Sequence, residues 1–507
     1  MSATPIPDEE IAGPGRRADP PTAPLDPRRW VALGVVAVAQ LMVVLDASVV
    51  NIALPSAQRA LDITDADRQW VVTAYTLPFG GPLLLGGRVA DYAGRKRVFI
   101  MGLVGFAAAS ALGGAAVEQW MLFAARAAQG VFAALAAPAA LALINVTFTL
   151  PHERARAFAV YGAVAGGGAA IGLVLGGILT QYASWRWCLL VNIPIALVTA
   201  LAASRVVGES RALSKTRYDV PGALLVTAGL VSLVYGFTEA ARPGVGWTAT
   251  TTLVCLALGL VLLVGFVSVE VRSANPLLPL RVVLDGDRGG AFLSSVFVAA
   301  GMFALFLFLA YYLQVNLGYT PLRAGLAFLP FSVGVIITAS VVSNLLPRTG
   351  ARPLMVLGGV LGAVALLYLT TLQQDSSWLV AVMPALLAAG AGAALVFVPA
   401  SSLALHGIDG DDGGVASALV NATQQIGGSL GIALLNTVYT GTLASSLAAR
   451  TGGQGSASDL LASASLDGYH RAFLVGAFFL AAAALSAALL VRSSRSATKG
   501  SAVSQGA

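Results

Sequence analysis

Two ionisable side chains, Asp46 and Arg126, lie inside long apolar stretches of the sequence. A charge at the centre of a membrane helix costs roughly 2.5–3.5 kcal/mol on insertion scales, and such residues usually mark a functional site. Burial favours the protonated form of a carboxyl group and a nearby arginine favours the ionised form, so a carboxyl group under both influences can exchange a proton. Asp46 is therefore a candidate proton-binding residue and Arg126 its candidate partner. The alternative is a static ion pair that fixes helix packing.

The expected depths of the two residues support this pairing. A helix that enters the membrane near residue 31 reaches Asp46 after ~22 Å, at about 1.5 Å per residue. About 8 Å then remains to the far face of a hydrocarbon core ~30 Å thick. A helix that enters from that far face near residue 120 places Arg126 about 9 Å below it. The two opposite charges are thus expected at similar depth.

The segments that must position these residues are those of a membrane protein. Of 507 residues, 57% are hydrophobic and 11% are charged, and the mean hydropathy is +0.81. Apolar runs of ~18 or more residues can cross a bilayer as helices, and these runs are about twice as long as the strands of a membrane barrel. The sequence therefore predicts an all-α integral membrane protein with fourteen transmembrane helices. The expected spans are 31–54, 69–90, 98–117, 120–143, 157–179, 186–204, 220–239, 248–269, 290–313, 322–346, 353–372, 377–403, 414–440 and 471–492.

Basic residues set the expected orientation of the chain. With the N-terminus in the cytoplasm, twenty-one of the thirty lysines and arginines fall in cytoplasmic segments and seven in outer loops. This bias indicates a multi-pass protein of a bacterial cell membrane with both termini in the cytoplasm. One inner loop, HGIDGDDGG, departs from the bias because it holds three Asp and no basic residue. The outer loop at about 441–470 is rich in Ser, Gly and Ala and is expected to be flexible.

The sequence argues against several other classes of function. Cys188 and Cys255 lie in different spans and the three histidines lie in separate loops, so neither a disulfide framework nor a metal site is expected. No nucleophile is paired with a base, and GGRVADYAG lacks the G-K-[ST] end of a phosphate-binding loop. The net charge of +6 lies mainly in membrane-flanking loops, so no nucleic-acid binding is expected. A membrane enzyme is disfavoured, and a sensor would need a further soluble domain.

The stretch GGRVADYAGRKR, at residues 86–97, resembles the loop 2–3 signature of the major facilitator superfamily. Four further stretches, LDASVVNIALP, WVVTAYTLPFGGPLLLGGRVAD, RAAQGVFAALAAP and SWRWCLLVNIPI, resemble the fourteen-span drug:proton antiporter family within it. LQVNLGYTPLRAGLAFLP and GVASALVNATQQIGGSLGIALL resemble the same family in the second half, so the resemblance covers about residues 30–492. In the loop signature the matching residues are Gly87, Asp91, Gly94, Arg95 and Lys96, whereas Val89 and Tyr92 depart from it.

The resemblance implies two six-helix bundles related by pseudo-symmetry, with two inserted helices and a substrate site between the bundles that is reached from alternate sides. We expect a monomer that uses the proton gradient and no cofactor. The expected domains are a disordered cytoplasmic tail at 1–29, an N-terminal bundle at 30–204, a linker with the inserted helices at 205–289, a C-terminal bundle at 290–492 and a cytoplasmic tail at 493–507.

The fifth predicted helix carries most of the family's antiporter motif. Gly172, Gly176 and Gly177 match the motif, but Leu173 stands where the family usually has Pro. Proline would remove a backbone donor and favour a kink. Without it, the glycine-lined face of this helix is suited to tight packing against another helix.

The loop 2–3 motif contacts the opposite bundle in this family when the inner side is closed. The corresponding partner here is the start of the thirteenth helix, whose N-terminus offers partial positive charge to Asp91. The acidic loop before that helix is expected to face the basic run of loop 2–3. Exposed charge pairs are worth only ~0–1 kcal/mol each, which biases a two-state equilibrium without freezing it. The expected inner gate comprises Gly87, Asp91, Gly94, Arg95, Lys96, Arg97, Asp409, Asp411 and Asp412.

The resemblance favours a proton-coupled exporter of small hydrophobic or amphipathic compounds, such as drugs or antibiotics, with Asp46 and Arg126 as the coupling residues. No clear acidic residue lies deep in the C-terminal half, so neutral, monocationic or amphipathic substrates are expected. A proton-linked uptake symporter or a facilitator on the same fold is the alternative. The candidates for the substrate cavity are Tyr75, Gln129 and Gln424.

Overall fold

The computed structural model describes residues 28–211, 219–273, 276, 278, 283–405, 413–450 and 456–492, and the regular structure of these residues is helical throughout. Five-residue π-helical turns extend α11 at Tyr312–Asn316 and precede α15 at Trp378–Val382. The α-helices are α1 (Arg29–Ala60), α2 (Trp70–Gly80), α3 (Leu83–Ala93), α4 (Arg95–Gly114), α5 (Gln119–Thr147), α6 (Pro151–Tyr182), α7 (Trp187–Leu190), α8 (Asn192–Val206), α9 (Val220–Ala241), α10 (Thr250–Arg272), α11 (Gly286–Tyr311), α12 (Pro321–Ala327), α13 (Leu329–Thr349), α14 (Ala351–Leu369), α15 (Met383–Leu405), α16 (Gly413–Arg450) and α17 (Ala457–Leu490).

The expected fourteen-span architecture is confirmed. Within the described residues, thirteen helical segments are long and apolar enough to cross a membrane. The remaining span is the second, in which α2 ends at Gly80 and α3 begins at Leu83, so neither half has the length by itself. Pro82 at this break cannot donate a backbone hydrogen bond, which explains the interruption.

The prediction of a flexible outer loop at about 441–470 is wrong. Helix α16 continues to Arg450 and α17 begins at Ala457, so most of this stretch is helical. Alanine has the highest helix propensity of all residues, and a serine before the first turn is a favoured N-cap. Ser456 fills that role, because its side chain accepts a hydrogen bond from the Asp459 backbone N–H at 3.2 Å.

The helices pack in two groups with a hairpin between them. Helices α1 to α8 pack on one another, and α11 to α17 form the second group. Helices α9 and α10 pack against each other as a hairpin, and α9 lies along the seam where α2 meets α16. Leu77 of α2, Leu230 and Val234 of α9 and Ala433 of α16 share one buried apolar cluster at this seam.

The two ends of the seam between the groups differ. We call the end that holds Arg29 and Leu490 the terminal face, and the other end the opposite face. Near the opposite face α6 touches α12 so closely that a Cβ on Gly177 would stand 2.7 Å from the Leu322 Cα. Gly166 lies eleven residues before Gly177, on the same side of α6, and a Cβ there would meet nothing within 4 Å. The groups are therefore in contact between α6 and α12 at the opposite face, whereas α6 is exposed at Gly166, nearer the terminal face.

Candidate functional site

The two charges predicted to meet form a direct ion pair. Asp46 of α1 and Arg126 of α5 lie 2.5 Å apart between Oδ2 and Nη1, and each residue is only 1% exposed. The guanidinium also donates from Nε to the Val71 carbonyl oxygen of α2 at 2.9 Å. A buried ion pair is stable only when its remaining donors and acceptors are satisfied, and here three helices contribute to that.

Three buried polar residues complete the surroundings of Asp46. Gln129, one turn after Arg126 on α5, donates from Nε2 to Asp46 Oδ1 at 3.0 Å and accepts from Arg126 Nη1 at 2.9 Å. Asn192, the first residue of α8, donates to the same Asp46 oxygen at 2.8 Å. Gln129 Nε2 also lies 2.8 Å from the Ser110 hydroxyl oxygen of α4. Asp46 thus accepts hydrogen bonds from Arg126, Gln129 and Asn192, three side chains of two neighbouring helices.

Tyr75 of α2 closes the cluster on the remaining side. Its ring lies beneath Arg126, with the guanidinium carbon 4.4 Å from the ring centroid. The backbones of α2 and α5 touch here, because a Cβ on Gly130 would stand 2.3 Å from the Tyr75 carbonyl oxygen. Two buried polar atoms of the cluster, Tyr75 Oη and Asn192 Oδ1, have no hydrogen-bond partner among the described residues. They are the points at which the cluster can accept or donate a further hydrogen bond.

The cavity candidates are placed in two different regions. Tyr75 and Gln129 belong to the buried cluster, with 1% and 0% exposure, and do not face an open cavity in this conformation. Gln424 lies half-buried on α16 in the other helix group. Beside it, a Cβ on Gly80 would stand 2.9 Å from the Gln425 Cβ, so α2 and α16 approach closely at this level.

The glycines of α6 serve two separate contacts. A Cβ on Gly172 would stand 1.9 Å from the Ser48 hydroxyl oxygen, and one on Gly176 would stand 2.9 Å from the Val49 carbonyl oxygen. These two glycines therefore let α6 lie directly against α1, two to three residues beyond Asp46. Gly177 faces α12 of the second group instead. Leu173 is buried, and α6 continues through it unbroken.

The loop between α3 and α4 is held by its own helix group. Gly94 is the single residue between the end of α3 and the start of α4. Its φ of 112° is a conformation that favours glycine. Asp91 and Arg95 pair with each other at 2.8 Å. Lys96 donates from Nζ to the Ser204 carbonyl oxygen at 2.7 Å. Asp409, Asp411 and Asp412, which were expected opposite this loop, lie outside the described residues, so that part of the inner gate stays a prediction.

A second buried arginine lies at the opposite face and was not predicted as a functional residue. Arg68, between α1 and α2, is 1% exposed, and its guanidinium carbon lies 4.3 Å and 4.4 Å from the ring centroids of Tyr311 and Tyr439. Its Nε donates to the Asn436 side-chain oxygen at 3.0 Å. Because the rings and Asn436 belong to α11 and α16, Arg68 joins the first helix group to the second.

Further bonds across the seam accompany Arg68. The Thr76 and Ser429 hydroxyl oxygens lie 2.6 Å apart, and Gln314 donates to the Ile52 carbonyl oxygen at 3.1 Å. The Tyr311 hydroxyl donates to the Gln58 side chain. All of these partners are neutral, so the groups are joined here without an ion pair between them in the described residues.

Comparison with known proteins identifies the family. The sequence model of the Major Facilitator Superfamily matches residues 36–432. The chain belongs to this superfamily. It is similar to the puromycin resistance protein pur8 of Streptomyces alboniger, with 50% identity over 88% of this chain and 87% of that protein. It is also similar to the cephamycin export protein CmcT of Amycolatopsis lactamdurans, with 38% identity over 80% of this chain and 84% of that protein.

The fold agrees with this assignment. The crystal structure of a bacterial homolog to the human lysosomal transporter Spinster, in an inward-facing and unoccupied conformation, aligns with a TM-score of 0.63. The alignment covers 92% of this chain and 98% of that one at 17% identity, which shows a shared fold. This major facilitator protein is a membrane transporter of small molecules and not an enzyme, as the sequence predicted.

Ser110, Asn192 and Arg68 of this major facilitator protein lie in buried contacts that its sequence does not predict. Asn192 was one of many polar residues in spans, and nothing in its neighbours indicates that it faces Asp46. Arg68 lies just before the second predicted span and is one of the seven basic residues that fall in outer loops. The available signal was its position two residues before Trp70, where α2 begins, combined with tyrosines near the corresponding ends of two C-terminal helices.

Proposed function

We propose that this transporter exports small hydrophobic or amphipathic compounds, antibiotics among them, in exchange for protons. The observation that carries the proposal is the buried cluster around Asp46, a carboxylate without solvent contact held by one arginine and two amides. The names of the two curated relatives, a resistance protein and an export protein, support the direction of transport. In this proposal the proton gradient supplies the energy and no cofactor takes part.

Protonation of Asp46 changes the balance of the cluster. The ionised carboxylate satisfies Arg126, Gln129 and Asn192 together, which favours the arrangement described above. A proton on Asp46 removes its charge and leaves the guanidinium with the Val71 carbonyl oxygen and the Tyr75 ring as partners. The free energy of the cluster then depends on protonation, so a proton can bias the equilibrium between the two faces.

We further propose that the terminal face is cytoplasmic, because the basic residues of the sequence concentrate in the segments at that face. The exposed part of α6 near Gly166 then lies on the cytoplasmic side, from which an exporter collects its substrate. The polar and small residues exposed there, Gly162 and Gly166 on α6 and Asn344 on α13, can border an aqueous entrance. Each chain has its own complete Asp46 cluster, so the proposal needs only a monomer.

The test is resistance of a sensitive bacterium that expresses the full chain. Expression should raise the inhibitory concentration of puromycin or another compound from an antibiotic panel, and an uncoupler should abolish the accompanying efflux. Resistance that survives the uncoupler would contradict proton coupling. Accumulation of a panel compound inside the cell, driven by the proton gradient, would contradict export and establish the uptake alternative.

A further inference from the structure

Three parts of the molecule meet at a short stretch after α10 at the terminal face. Arg88 of α3 donates from Nη2 to the Pro276 carbonyl oxygen at 2.6 Å. Two residues further, the Leu278 backbone N–H donates to Glu270 Oε2 of α10 at 3.0 Å. The Leu278 side chain packs in an apolar cluster with Phe292 of α11. The stretch therefore connects the first helix group, the inserted hairpin and the second helix group.

Two buried carboxyl groups face each other at this junction. Asp219, just before α9, and Glu270 are 6% and 3% exposed. Asp219 Oδ1 accepts from the Gly222 backbone N–H at 2.9 Å, as the N-cap of α9. A Cβ on Gly222 would stand 2.6 Å from Asp219 Oδ2 and 3.0 Å from Glu270 Oε1, so these two oxygens border the same small space. Gly222 leaves that space free.

The two facing oxygens have no hydrogen-bond partner. Asp219 Oδ2 and Glu270 Oε1 are both buried and unpartnered among the described residues. Among the described residues, the charged side chains that act on Glu270 are Asp219 and Arg88, and Arg88 forms no ion pair with either carboxyl group. Arg272, two residues further along α10, is exposed. Two ionised carboxylates in this position would repel each other and lack donors.

One proton between the two carboxyl groups resolves both problems. It converts one oxygen into a donor for the other and removes the repulsion, as in paired carboxyl groups that cannot both ionise at close range. We propose that Asp219 and Glu270 form a second proton-binding site, separate from Asp46, which holds one shared proton in the conformation described above. This site lies on the inserted hairpin and does not depend on what the protein transports.

Arg88 is the group that responds when the proton leaves. Its Nη1 is buried and unpartnered, whereas its Nη2 is bound to Pro276. Loss of the shared proton leaves two buried negative charges, and the Arg88 guanidinium is a nearby cation among the described residues that can neutralise them. Arg88 then releases the Pro276 carbonyl oxygen and binds the carboxylates of Asp219 and Glu270 instead. This exchange changes the connection between α3 and the hairpin. The inserted helices thereby gain a regulatory role, in which protonation at the terminal face alters the junction of the helix groups.

The test is infrared difference spectroscopy of the purified full chain in lipid nanodiscs during a pH titration. The wild type should show the C=O stretching band of a buried protonated carboxyl group that disappears as the pH rises. Because the proton is shared, Glu270→Gln and Asp219→Asn should each remove this band, and both amides keep the size of the side chain. Asp46→Asn and Glu118→Gln, the latter an exposed control, should retain it. A band that persists in both junction variants would overturn the proposal.

A matched pair of arginine variants tests the role of Arg88. Arg88→Gln should move the titration midpoint of the band upwards by about one pH unit, because a nearby cation favours the ionised carboxyl group. Arg272→Gln removes an exposed charge from the same region and should leave the midpoint unchanged. Equal midpoints in the wild type and Arg88→Gln would show that Arg88 does not act on the pair. Neither measurement involves transport, so its outcome is independent of the proposed export function.

Discussion

Two arginines in this protein are buried to the same degree but serve different connections. Arg126 and Arg68 are each 1% exposed. The guanidinium carbon of Arg126 lies 4.4 Å from the ring centroid of Tyr75, and that of Arg68 lies 4.3 Å from the ring centroid of Tyr311. Arg126 pairs with the buried carboxylate of Asp46 inside one helix group. Arg68 reaches into the other group and finds an amide and aromatic rings there. Its carboxylate neighbour, Asp65, belongs to its own loop at 3.5 Å.

The difference follows from what happens to each contact during transport. Breaking a buried ion pair costs ~3–5 kcal/mol, whereas a desolvated cation–π contact is worth ~2 kcal/mol. A contact inside one group moves with that group and can be strong without opposing the conformational change. A contact between groups must break whenever the opposite face opens, so a neutral partner is suitable. The Asp46 cluster can therefore stay intact while the groups move, and the Arg68 contact can close the seam reversibly.

The largest expected effect is that of Asp46→Asn. This change removes the proposed proton-binding group and leaves Arg126 buried without a counter-charge, which costs ~3–5 kcal/mol of stability. Substrate efflux driven by a pH gradient in proteoliposomes should fall to the level of empty vesicles. Asp62→Asn is the matched control, because Asp62 is exposed and its positive φ of 49° is one that asparagine tolerates.

A double variant guards against simple misfolding of Asp46→Asn. D46N/R126Q has no uncompensated charge in the cluster, so it should recover much of the lost thermal stability and still show no driven efflux. Driven efflux at the wild-type rate in either variant would show that Asp46 is only a structural residue.

Arg68→Ala should have the next largest effect, on conformation and not on coupling. Loss of ~2 kcal/mol at the seam shifts the equilibrium towards an open opposite face by roughly thirtyfold. Spin labels at Asp62 and Leu461, exposed positions on the two groups, should report a longer distance in double electron–electron resonance after the native cysteines are replaced.

Arg59→Ala is the control for Arg68. Arg59 is exposed and donates only to the Pro55 carbonyl oxygen of its own helix, at 3.2 Å. It should leave the distance distribution unchanged. If Arg68→Ala gives the same distribution as Arg59→Ala, Arg68 does not hold the opposite face closed.

The contrast between the arginines also shows what the sequence could predict. The predicted pairing of Asp46 with Arg126 is confirmed. It could be predicted because the order and length of the apolar spans give the direction of each helix and the depth of each charged residue. The contacts of Ser110 and Asn192 with this pair could not be predicted. They depend on which side of each helix faces inwards, and helices that are apolar on all sides do not reveal that side. The contacts of Arg68 depend on how the two halves of the chain pack against each other, which no local sequence pattern indicates. The last turns of α16 and the first turns of α17 could not be predicted, because a Ser- and Ala-rich sequence is compatible with either a loop or a helix.

Asn192→Ala should have a moderate effect on the Asp46 cluster. Asn192 donates to the carboxylate at 2.8 Å, and a hydrogen bond to a charged group contributes ~1.5–3 kcal/mol. Its loss should therefore lower the thermal stability of the purified protein, by less than Asp46→Asn does, and slow driven efflux without abolishing it. Unchanged stability and efflux would contradict the assignment of Asn192 as a donor to Asp46.

Tyr311→Phe should have the smallest effect and divides the Arg68 contact into its parts. The phenylalanine ring stays beneath the guanidinium, but the hydroxyl that donates to Gln58 is lost. A neutral hydrogen bond contributes ~0.5–1.5 kcal/mol, so the distance distribution should shift slightly, by less than in Arg68→Ala. Tyr311→Ala removes the ring as well and should approach the Arg68→Ala distribution. If Tyr311→Phe already reproduces Arg68→Ala, the seam is held by the Tyr311–Gln58 hydrogen bond, and the burial of Arg68 among the rings contributes little to closure.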